Sequence, residues 1–378
     1  MKIFKSSYIF AVAFAIYSQT TYSQENKILN WMYVGSYTED EGFVDGKAEG
    51  IYTLQQNIQN GKLTLGSTVA KLKNPSFVRA STDGKYLLSV SELNDKEAES
   101  GFVLSYKINK DHSLTKINQL STHGFAPCHI EIDKTGKFAF VSNYMGGVVM
   151  MYEIEENGNL IEKQKIELEN PKESHAHSVN ITANNKHAYI ADLGNDKIWI
   201  YNLDAQKGTF SKNAQEFAEV ANGAGPRHLS FSKDGKFAYV MNELNSSIST
   251  FQVLESGGLQ LLQNISSLPS GFINNNSGAE IHLHPTKDFL YSSNRGANNI
   301  AVFRINIENG ELSLIAHTST EGKTPRNFNI SPDGNFLYAA NQDSGSISSF
   351  KIDLETGMLN SLGEVLEAKT PVCLEFVE

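Results

Sequence analysis

The sequence GPRHLSFSKDGKFAYVMNEL, residues 225–244, decides the fold of this chain. It predicts a strand, a tight turn at Asp234-Gly235 and a second strand, because two apolar runs flank a favoured hairpin turn. A hairpin returns to the edge that it left, so the polar residues outside its two strands should lie close together. They are Arg227 and His228 before the first strand, and Asn242 and Glu243 after the second.

The same unit occurs seven times along the chain. When the copies are aligned on the turn, the positions equivalent to Arg227 are 46 to 52 residues apart: Ser76, Cys128, His177, Arg227, Ala279, Arg326 and Val372. A constant period of this length indicates a repeat architecture. Each unit is followed by a second hairpin with a glycine in its turn, such as residues 148–166. Four strands per repeat predict an all-β, seven-bladed β-propeller with four antiparallel strands in each blade.

The two ends of the chain complement each other. Residues 31–37, WMYVGSY, resemble the second strand of a blade, whereas residues 370–377, TPVCLEFV, resemble an inner strand with nothing after it. We therefore expect one blade to be assembled from both ends, which closes the ring and removes a free sheet edge. Because each blade packs only on its neighbours, residues 24–378 are predicted to form a single propeller domain.

Residues 1–23 have the pattern of a secretory signal peptide. Lys2 and Lys5 precede an apolar run at residues 8–16, and small or polar residues lead to a cleavage site near Ser23-Gln24. The apolar run is too short to span a bilayer, although an uncleaved anchor is the alternative. The mature protein is therefore predicted to be exported, periplasmic or secreted, with no membrane association after cleavage.

Charge and cysteine content restrict the partners. The net charge of -10 argues against nucleic acid or an anionic membrane as a partner. Cys128 and Cys373 belong to blades that are separated by another blade, so their Cα atoms should be too far apart for a disulfide. We expect two free, partly buried thiols, and a monomer or weak dimer.

Candidate functional residues lie where inner strands begin and second strands end, because these positions converge on one mouth of the central channel. The inner strands contribute His175, His177, Arg227, His228, Glu280, His282, Arg326 and Asn327. The second strands contribute Glu92, Asn143, Asp192, Glu243, Arg295 and Gln342. Three of the five arginines fall in these sets, and the planar guanidinium binds carboxylate or phosphate in bidentate fashion. The sequence therefore predicts a site for a small anionic molecule.

Other interpretations of the same residues remain open. Each Arg–Glu pair can be a structural ion pair, and Cys128 can be a catalytic thiol. His175 and His177 can be a zinc pair, although no third ligand has the spacing of a zinc site. Calcium can bind the channel oxygens of Glu92, Asp192, Asn242 and Glu243. We expect neither a metal nor a cofactor.

Ten motifs together resemble the seven-bladed lactonase family, which includes propeller-type bacterial 6-phosphogluconolactonases and fungal carboxy-cis,cis-muconate cyclases. They are YVGSYT, HAHS, GPRHLSF, YVMNEL, SSLPSGF, GAEIHLHP, SNRG, GKTPRNF, AANQDS and the terminal PVCLEF. The resemblance extends from about Tyr33 to the C-terminus. It implies catalytic roles for Arg227 and Glu243, with His177 and Arg295 as the matching His and second Arg. His175 and Arg326 are the respective rivals.

We therefore hypothesise a metal-independent lactonase, similar to 6-phosphogluconolactonase, that hydrolyses a sugar-acid lactone. Arg326 and Lys323 are predicted to hold its acidic substituent. Arg227 and Arg295 are predicted to stabilise the oxyanion, while Glu243 or His177 activates water. The other predicted substrate-binding residues are His175, His228, Glu280, His282 and Gln342.

Two alternatives to this hypothesis remain. A lactonising cycloisomerase of the muconate type can use the same residues, and a non-catalytic exported propeller can bind an anionic small molecule or a protein. Export also argues against a phosphorylated substrate, because sugar phosphates are rarely met outside the cytosol.

Overall fold

Seven four-stranded antiparallel sheets make up residues 29–377, the part of the chain that this computed structural model describes. Each sheet contacts the next, so that the sheets form the blades of one closed ring. The predicted seven-bladed β-propeller is confirmed. The predicted signal peptide at residues 1–23 lies outside the described residues. Within residues 29–377 no helix is long and apolar enough to cross a membrane.

The strands are numbered in chain order and each blade is listed from its first strand in the chain. Blade 7 begins with β1 (Leu29–Ser36), β2 (Ile51–Asn57) and β3 (Leu63–Ala70). Blade 1 contains β4 (Val78–Ala80), β5 (Tyr86–Ser91), β6 (Phe102–Ile108) and β7 (Leu114–Ser121). Blade 2 contains β8 (Phe125–Ile132), β9 (Phe138–Met145), β10 (Val148–Ile154) and β11 (Leu160–Glu167). Blade 3 contains β12 (Ala176–Ile181), β13 (His187–Asp192), a 3₁₀ turn (Leu193–Asn195), β14 (Lys197–Asp204) and β15 (Thr209–Glu219).

The remaining blades follow the same plan. Blade 4 contains β16 (Pro226–Phe231), β17 (Phe237–Asn242), β18 (Ser247–Val253) and β19 (Leu259–Ser266). Blade 5 contains β20 (Gly278–Leu283), β21 (Phe289–Asn294), β22 (Asn299–Ile305) and β23 (Leu312–Ser319). Blade 6 contains β24 (Pro325–Ile330), β25 (Phe336–Asn341), β26 (Ser346–Ile352) and β27 (Leu359–Glu367), and β28 (Pro371–Val377) completes blade 7.

The inner hairpin of blade 4 shows why these residues form a tight turn. Gly235 has a φ of 71°, a left-handed conformation that favours glycine. Asp234 Oδ1 accepts hydrogen bonds from Ser232 Oγ and from the Lys236 amide, which fixes the turn from within. The turn sets the register of β16 and β17, which places Pro226 opposite Asn242. The predicted proximity of the residues that flank this hairpin follows from that pairing.

The core lies between blades. Blades 4 and 5 bury one such cluster, to which Tyr239 and Met241 contribute from one side and Leu290 and Phe303 from the other. Buried tyrosine hydroxyls also join neighbouring blades, since Tyr189 Oη donates to the Gly257 carbonyl at 2.7 Å. Each blade is therefore stabilised by both of its neighbours, and the ring depends on complete closure.

Closure is provided by β28, the innermost strand of blade 7. It pairs antiparallel with β1, with Leu374 opposite Val34 and Val377 opposite Trp31. The predicted blade made from both ends of the chain is confirmed. This pairing leaves blade 7 with the same four strands as the other six blades.

A β-bulge recurs near the start of the inner strands. In blade 4 the register shifts between Pro226 and His228, which leaves Arg227 as the extra residue. The same shift occurs in blades 2, 3, 5, 6 and 7. A bulge changes the direction of a side chain and is frequent next to active sites. The repeated bulge therefore brings two successive residues of these six inner strands to the channel.

The channel wall consists of register-equivalent positions, which we call rings and give from blade 1 to blade 7. The rim ring, at the upper ends of the second strands, is Glu92, Tyr144, Leu193, Glu243, Arg295, Gln342 and Tyr37. The bulge ring is Ser76, Cys128, His177, Arg227, Ala279, Arg326 and Val372. The middle ring is Phe77, His129, Ser178, His228, Glu280, Asn327 and Cys373. The lower ring is Arg79, Glu131, Asn180, Ser230, His282, Asn329 and Glu375.

Candidate active site

A cavity of about 560 Å³ opens at the upper mouth of the channel, between the rim ring and the bulge ring. This volume is typical of a small-molecule site. The charged and aromatic side chains that line it are Tyr37, Glu41, Phe43, Glu92, Tyr144, His175, His177, Glu243, Arg295 and Arg326. The upper mouth thus combines cations, carboxylates and imidazoles on one concave surface.

Glu243 is the centre of the first cluster in this cavity. Arg295 Nη2 lies 2.8 Å from its Oε1, and Arg227 Nε lies 3.0 Å from its Oε2. His177 Nε2 lies 3.9 Å from the same Oε2. Burial opposes ionisation of Glu243, but the two guanidiniums outweigh it and hold the pKa of this carboxyl below its usual value. Glu243 is therefore an ionised acceptor that is already engaged by two arginines.

Arg227 lies behind Glu243 instead of facing the cavity. Its side chain is buried, and Nη1 donates to the Ala279 carbonyl at 2.8 Å. Burial and the nearby Arg295 lower the pKa of Arg227 to about 10. The guanidinium stays charged at neutral pH and fixes the position of Glu243.

His177 is a neutral imidazole on the same wall. Burial, reinforced by the positive charge of Arg227, holds its pKa well below the usual value of a histidine. Its ring meets His228 and Tyr144 edge-on, and its Nδ1 lies 3.9 Å from Cys128 Sγ. A neutral imidazole at the cavity wall can accept a proton at neutral pH.

A second cluster surrounds Glu92 in blade 1. Tyr37 Oη lies 3.0 Å from both carboxylate oxygens of Glu92, and Ser76 Oγ also donates to this group. Arg326 Nη2 donates to Tyr37 Oη at 3.1 Å, and the guanidinium lies over the tyrosine ring. Burial raises the pKa of Glu92, and the charge of Arg326 offsets only part of that effect. The two clusters therefore place carboxyl groups of different acidity in one cavity.

The middle ring closes the channel below the cavity. His228 Nδ1 lies 2.8 Å from Glu280 Oε1, and Asn327 Nδ2 donates to Glu280 Oε2 at 2.5 Å. The ring of His129 packs between those of His228 and Phe77. Burial lowers the pKa of His228 to about 4, so it pairs with Glu280 as a neutral imidazole. The space left at this level is about 10 Å³, close to the minimum for one water molecule.

Comparison with known proteins identifies the family. A model of the seven-bladed β-propeller lactonases matches residues 31–376. The chain belongs to this lactonase family. The predicted resemblance is confirmed, and it covers every blade.

Relatives within the lactonase family carry names that concern sugar-acid lactones. The 6-phosphogluconolactonase of Formosa agariphila is 37% identical over 79% of this chain and 86% of its own length. The Bacillus subtilis 6-phosphogluconolactonase is 32% identical over 91% of this chain and 97% of its own. The structure of the periplasmic gluconolactonase of Pseudomonas aeruginosa superposes with a TM-score of 0.86 at 29% identity, covering 93% of this chain and 99% of that one.

Five of the eleven predicted site residues come together in the upper cavity of this lactonase-family chain. His175, His177, Glu243, Arg295 and Arg326 line the upper cavity. His175 stacks on Tyr144, with ring centroids 4.3 Å apart, and its Nδ1 lies 2.9 Å from the Tyr144 carbonyl oxygen. Within residues 29–377 no group of three or more His, Cys, Asp or Glu is arranged to hold a metal ion.

Five other predicted residues lie outside this cavity. Arg227 is behind it, and His228 and Glu280 are beneath it. The exposed Lys323 does not line the cavity, and Gln342 faces a neighbouring pocket, where its Nε2 donates to Asp343. The sequence placed these side chains near the upper end of the channel but did not show which of them reach the cavity.

His282 faces the opposite mouth of the channel, contrary to the expected convergence on one mouth. It lines a cavity of about 430 Å³ together with Arg79, Glu131 and Glu375 of the lower ring. His282 lies three residues beyond the bulge, which corresponds to about 10 Å along a strand. Its distance from the upper cavity follows from strand geometry.

Two cavity residues, Tyr37 and Tyr144, are absent from the predicted set, which contains no second-strand residue from blade 7 and is one residue early in blade 2. The predicted residue in blade 2 is Asn143 and that in blade 3 is Asp192, each one position before the equivalent of Glu243. Both instead form structural hydrogen bonds, since Asn143 Nδ2 donates to the Val148 and Thr122 carbonyls and Trp199 Nε1 donates to Asp192. Aligning SNY and MNE on their asparagines identifies Tyr144 at once.

The two cysteines are free, as expected, and more deeply buried than predicted. Cys128 is 7% exposed and Cys373 is 2% exposed. Burial raises the pKa of both thiols, which disfavours the thiolate that a catalytic cysteine needs.

Proposed function

We propose that this protein is a metal-independent lactonase that hydrolyses a sugar-acid lactone at the upper mouth of the channel. The observation that carries the proposal is the Glu243 cluster, in which Arg295 and a neutral His177 line one cavity while Arg227 holds the carboxylate from behind. The names of the relatives support the same class of substrate. A lactone requires a cation for its oxyanion and a base for the attacking water, and this cluster contains both.

Arg295 is the group that we assign to the oxyanion. It lines the cavity, and negative charge develops on the lactone carbonyl oxygen as water attacks. A preorganised cation at that position is usually the largest catalytic contribution. Arg227 acts indirectly, because it holds Glu243 from behind.

His177 is the base that we assign to the attacking water. Glu243 is less suited to this role, since it already accepts two guanidiniums. When His177 takes the proton at Nε2, the carboxylate of Glu243, 3.9 Å from that nitrogen, stabilises the imidazolium by its charge.

The substrate that fits this cavity best is an unphosphorylated lactone. Arg295 is engaged with Glu243, and Arg326 is engaged with Tyr37. A phosphate dianion would have to displace these contacts, and Lys323 does not line the cavity. The proposed export of the chain agrees with an uncharged sugar-acid lactone.

Rates on paired lactones test this proposal. The mature protein should open sugar-acid lactones faster than buffer does, with and without EDTA, and should prefer the unphosphorylated member of each pair. Arg295→Ala should lower kcat/KM by about 100-fold or more, because a charge at the oxyanion is lost. Arg304→Ala, at an exposed arginine outside the cavity, is the matched control. No acceleration of any lactone by folded protein would contradict the proposal.

The pH dependence tests His177 separately. Because its pKa lies well below the usual 6.5, kcat/KM should show no loss as pH falls through 6.5, and its acid limb should lie lower. His177→Gln should lower kcat by about 100-fold or more. His123→Gln, at an exposed histidine that pairs with Glu162, should behave as wild type. An acid limb centred at 6.5 would argue against His177 as the base.

A further inference from the structure

We propose that Glu92 is the general acid of this site and protonates the ring oxygen that leaves when the lactone opens. This inference rests on the proposed lactonase function and assigns it a second catalytic group. Ester hydrolysis needs such a donor whenever the leaving oxygen is a strongly basic alkoxide.

The position of Glu92 in the ring carries the first part of the argument. Glu92 belongs to blade 1 and Glu243 to blade 4, so they lie on nearly opposite walls in a ring of seven. Both line the same cavity. We place the lactone with its carbonyl oxygen at Arg295 and with the ring oxygen, which is bonded to the same carbon, turned across this cavity toward Glu92.

The contacts of Glu92 carry the second part. Its carboxyl oxygens are within hydrogen-bond distance of Tyr37 Oη and Ser76 Oγ, two hydroxyls that can donate or accept. Within residues 29–377 no lysine or arginine forms an ion pair with Glu92, whereas Glu243 has two. A hydroxyl can accept the hydrogen bond of a protonated carboxyl, whereas a guanidinium only donates hydrogen bonds and favours the carboxylate.

The pKa shifts of Glu92 and Glu243 agree with a protonated Glu92 and an ionised Glu243. Burial raises the pKa of Glu92, whereas arginines lower that of Glu243. Paired carboxyl groups whose pKa values are driven apart by their surroundings commonly divide acid and base roles. Here the acidic partner of the reaction is Glu92, and the base is His177 beside the ionised Glu243.

The complete step conserves atoms and protons. The water oxygen bonds to the carbonyl carbon while one water proton passes to His177 Nε2. The bond from that carbon to the ring oxygen then breaks, and the ring oxygen takes the proton of Glu92. The product is a hydroxy acid, and transfer of the proton from His177 to Glu92 through solvent restores the site.

The variant Glu92→Gln tests the assignment because it keeps the size and the polar contacts of the side chain. For a sugar-acid lactone, kcat/KM should fall by about 100-fold or more. For an aryl lactone such as dihydrocoumarin, whose phenolate leaves without a proton, it should change by only a few-fold. Equal losses on both substrates would overturn the proposal. Glu167→Gln, at an exposed glutamate paired with Lys165, is the matched control.

The alkaline limb of the pH profile gives a second test that does not depend on the Glu92 variant folding. For wild type on the sugar-acid lactone, kcat/KM should fall as pH rises through a value above the usual 4.5 of a glutamate. Ser76→Ala removes a donor to the carboxylate, so this limb should move to higher pH. An unmoved limb would overturn the proposal.

Two further results separate the possible failures. Tyr37→Phe should lower kcat/KM for the sugar-acid lactone less than Glu92→Gln does. A larger decrease with Tyr37→Phe would make the phenol the proton donor and overturn the assignment. A wild type that opens no lactone would contradict the proposed function itself. An active wild type whose variants show none of these differences would contradict the role of Glu92 alone.

Discussion

The variant Glu243→Gln is expected to lose both lactone hydrolysis and a large part of the free energy of unfolding. Without the carboxylate, Arg227 and Arg295 remain as two neighbouring, largely buried guanidiniums. Removing one partner of a buried ion pair commonly costs about 3–5 kcal/mol. Activity should fall by about 100-fold or more, because Arg295 and His177 lose the group that positions them. Urea unfolding and initial rates measure the two effects.

A double variant separates stability from catalysis. Combining Glu243→Gln with Arg227→Met removes one of the uncompensated cations, so it should recover much of the lost stability while hydrolysis stays low. The exposed control Glu167→Gln should change the free energy of unfolding by less than about 0.5 kcal/mol. A stable Glu243→Gln protein with wild-type rates would show that the cluster is neither structural nor catalytic.

The stability contribution of Glu243 should also depend on pH. Its folded-state pKa is lower than the usual 4.5, so the contribution is complete above about 4.5 and is lost as pH falls through the lower folded value. Glu243→Gln should lack this acid-dependent loss. Unfolding measured at neutral pH and at acidic pH, for both proteins, gives the comparison.

Deletion of residues 371–377 is expected to prevent formation of the native ring. These residues are β28, which pairs with β1 and buries Val372, Leu374 and Phe376. Burial of each of these side chains stabilises the fold by about 1.5–3 kcal/mol, so the deletion removes about 5–9 kcal/mol of hydrophobic stabilisation. The total free energy of unfolding of a native domain is only about 5–15 kcal/mol. Thermal unfolding followed by circular dichroism should show no cooperative transition.

Moving β28 instead of deleting it is the matched control. Val377 lies opposite Trp31, so a short loop can join the strand PVCLEFV to the front of β1. A chain that begins with this strand and ends at Thr370 should recover the cooperative transition. A truncated protein that unfolds like wild type would show that blade 7 does not need its inner strand.

Sequence was sufficient for the fold because each blade repeats the same local signals. The Asp-Gly turns and the alternating runs fixed the repeat, and the unmatched strand at 370–377 revealed the closure. The repeat register also predicted which side chains are neighbours around the channel axis, because it places Arg227 and Glu243 together.

Depth along the channel could not be predicted from the repeat. A bulge turns two successive residues inward, and nothing in the local sequence shows which of them reaches the cavity. His228 and Glu280 therefore proved to lie in the middle ring, and His282 proved to lie at the far mouth. Tyr144 of the aromatic wall lies one residue beyond the predicted Asn143, and Tyr37 belongs to blade 7, for which no second-strand residue was predicted.

The bulge that recurs in six blades makes those blades interchangeable carriers of functional groups. Each presents one side chain to the channel from the same backbone position, whatever that side chain is. Ala279 and Val372 occupy two of these positions with apolar groups. New specificity can therefore evolve, or be engineered, by exchange of one residue at a time, while the strands, turns and closure that hold the ring together stay as they are.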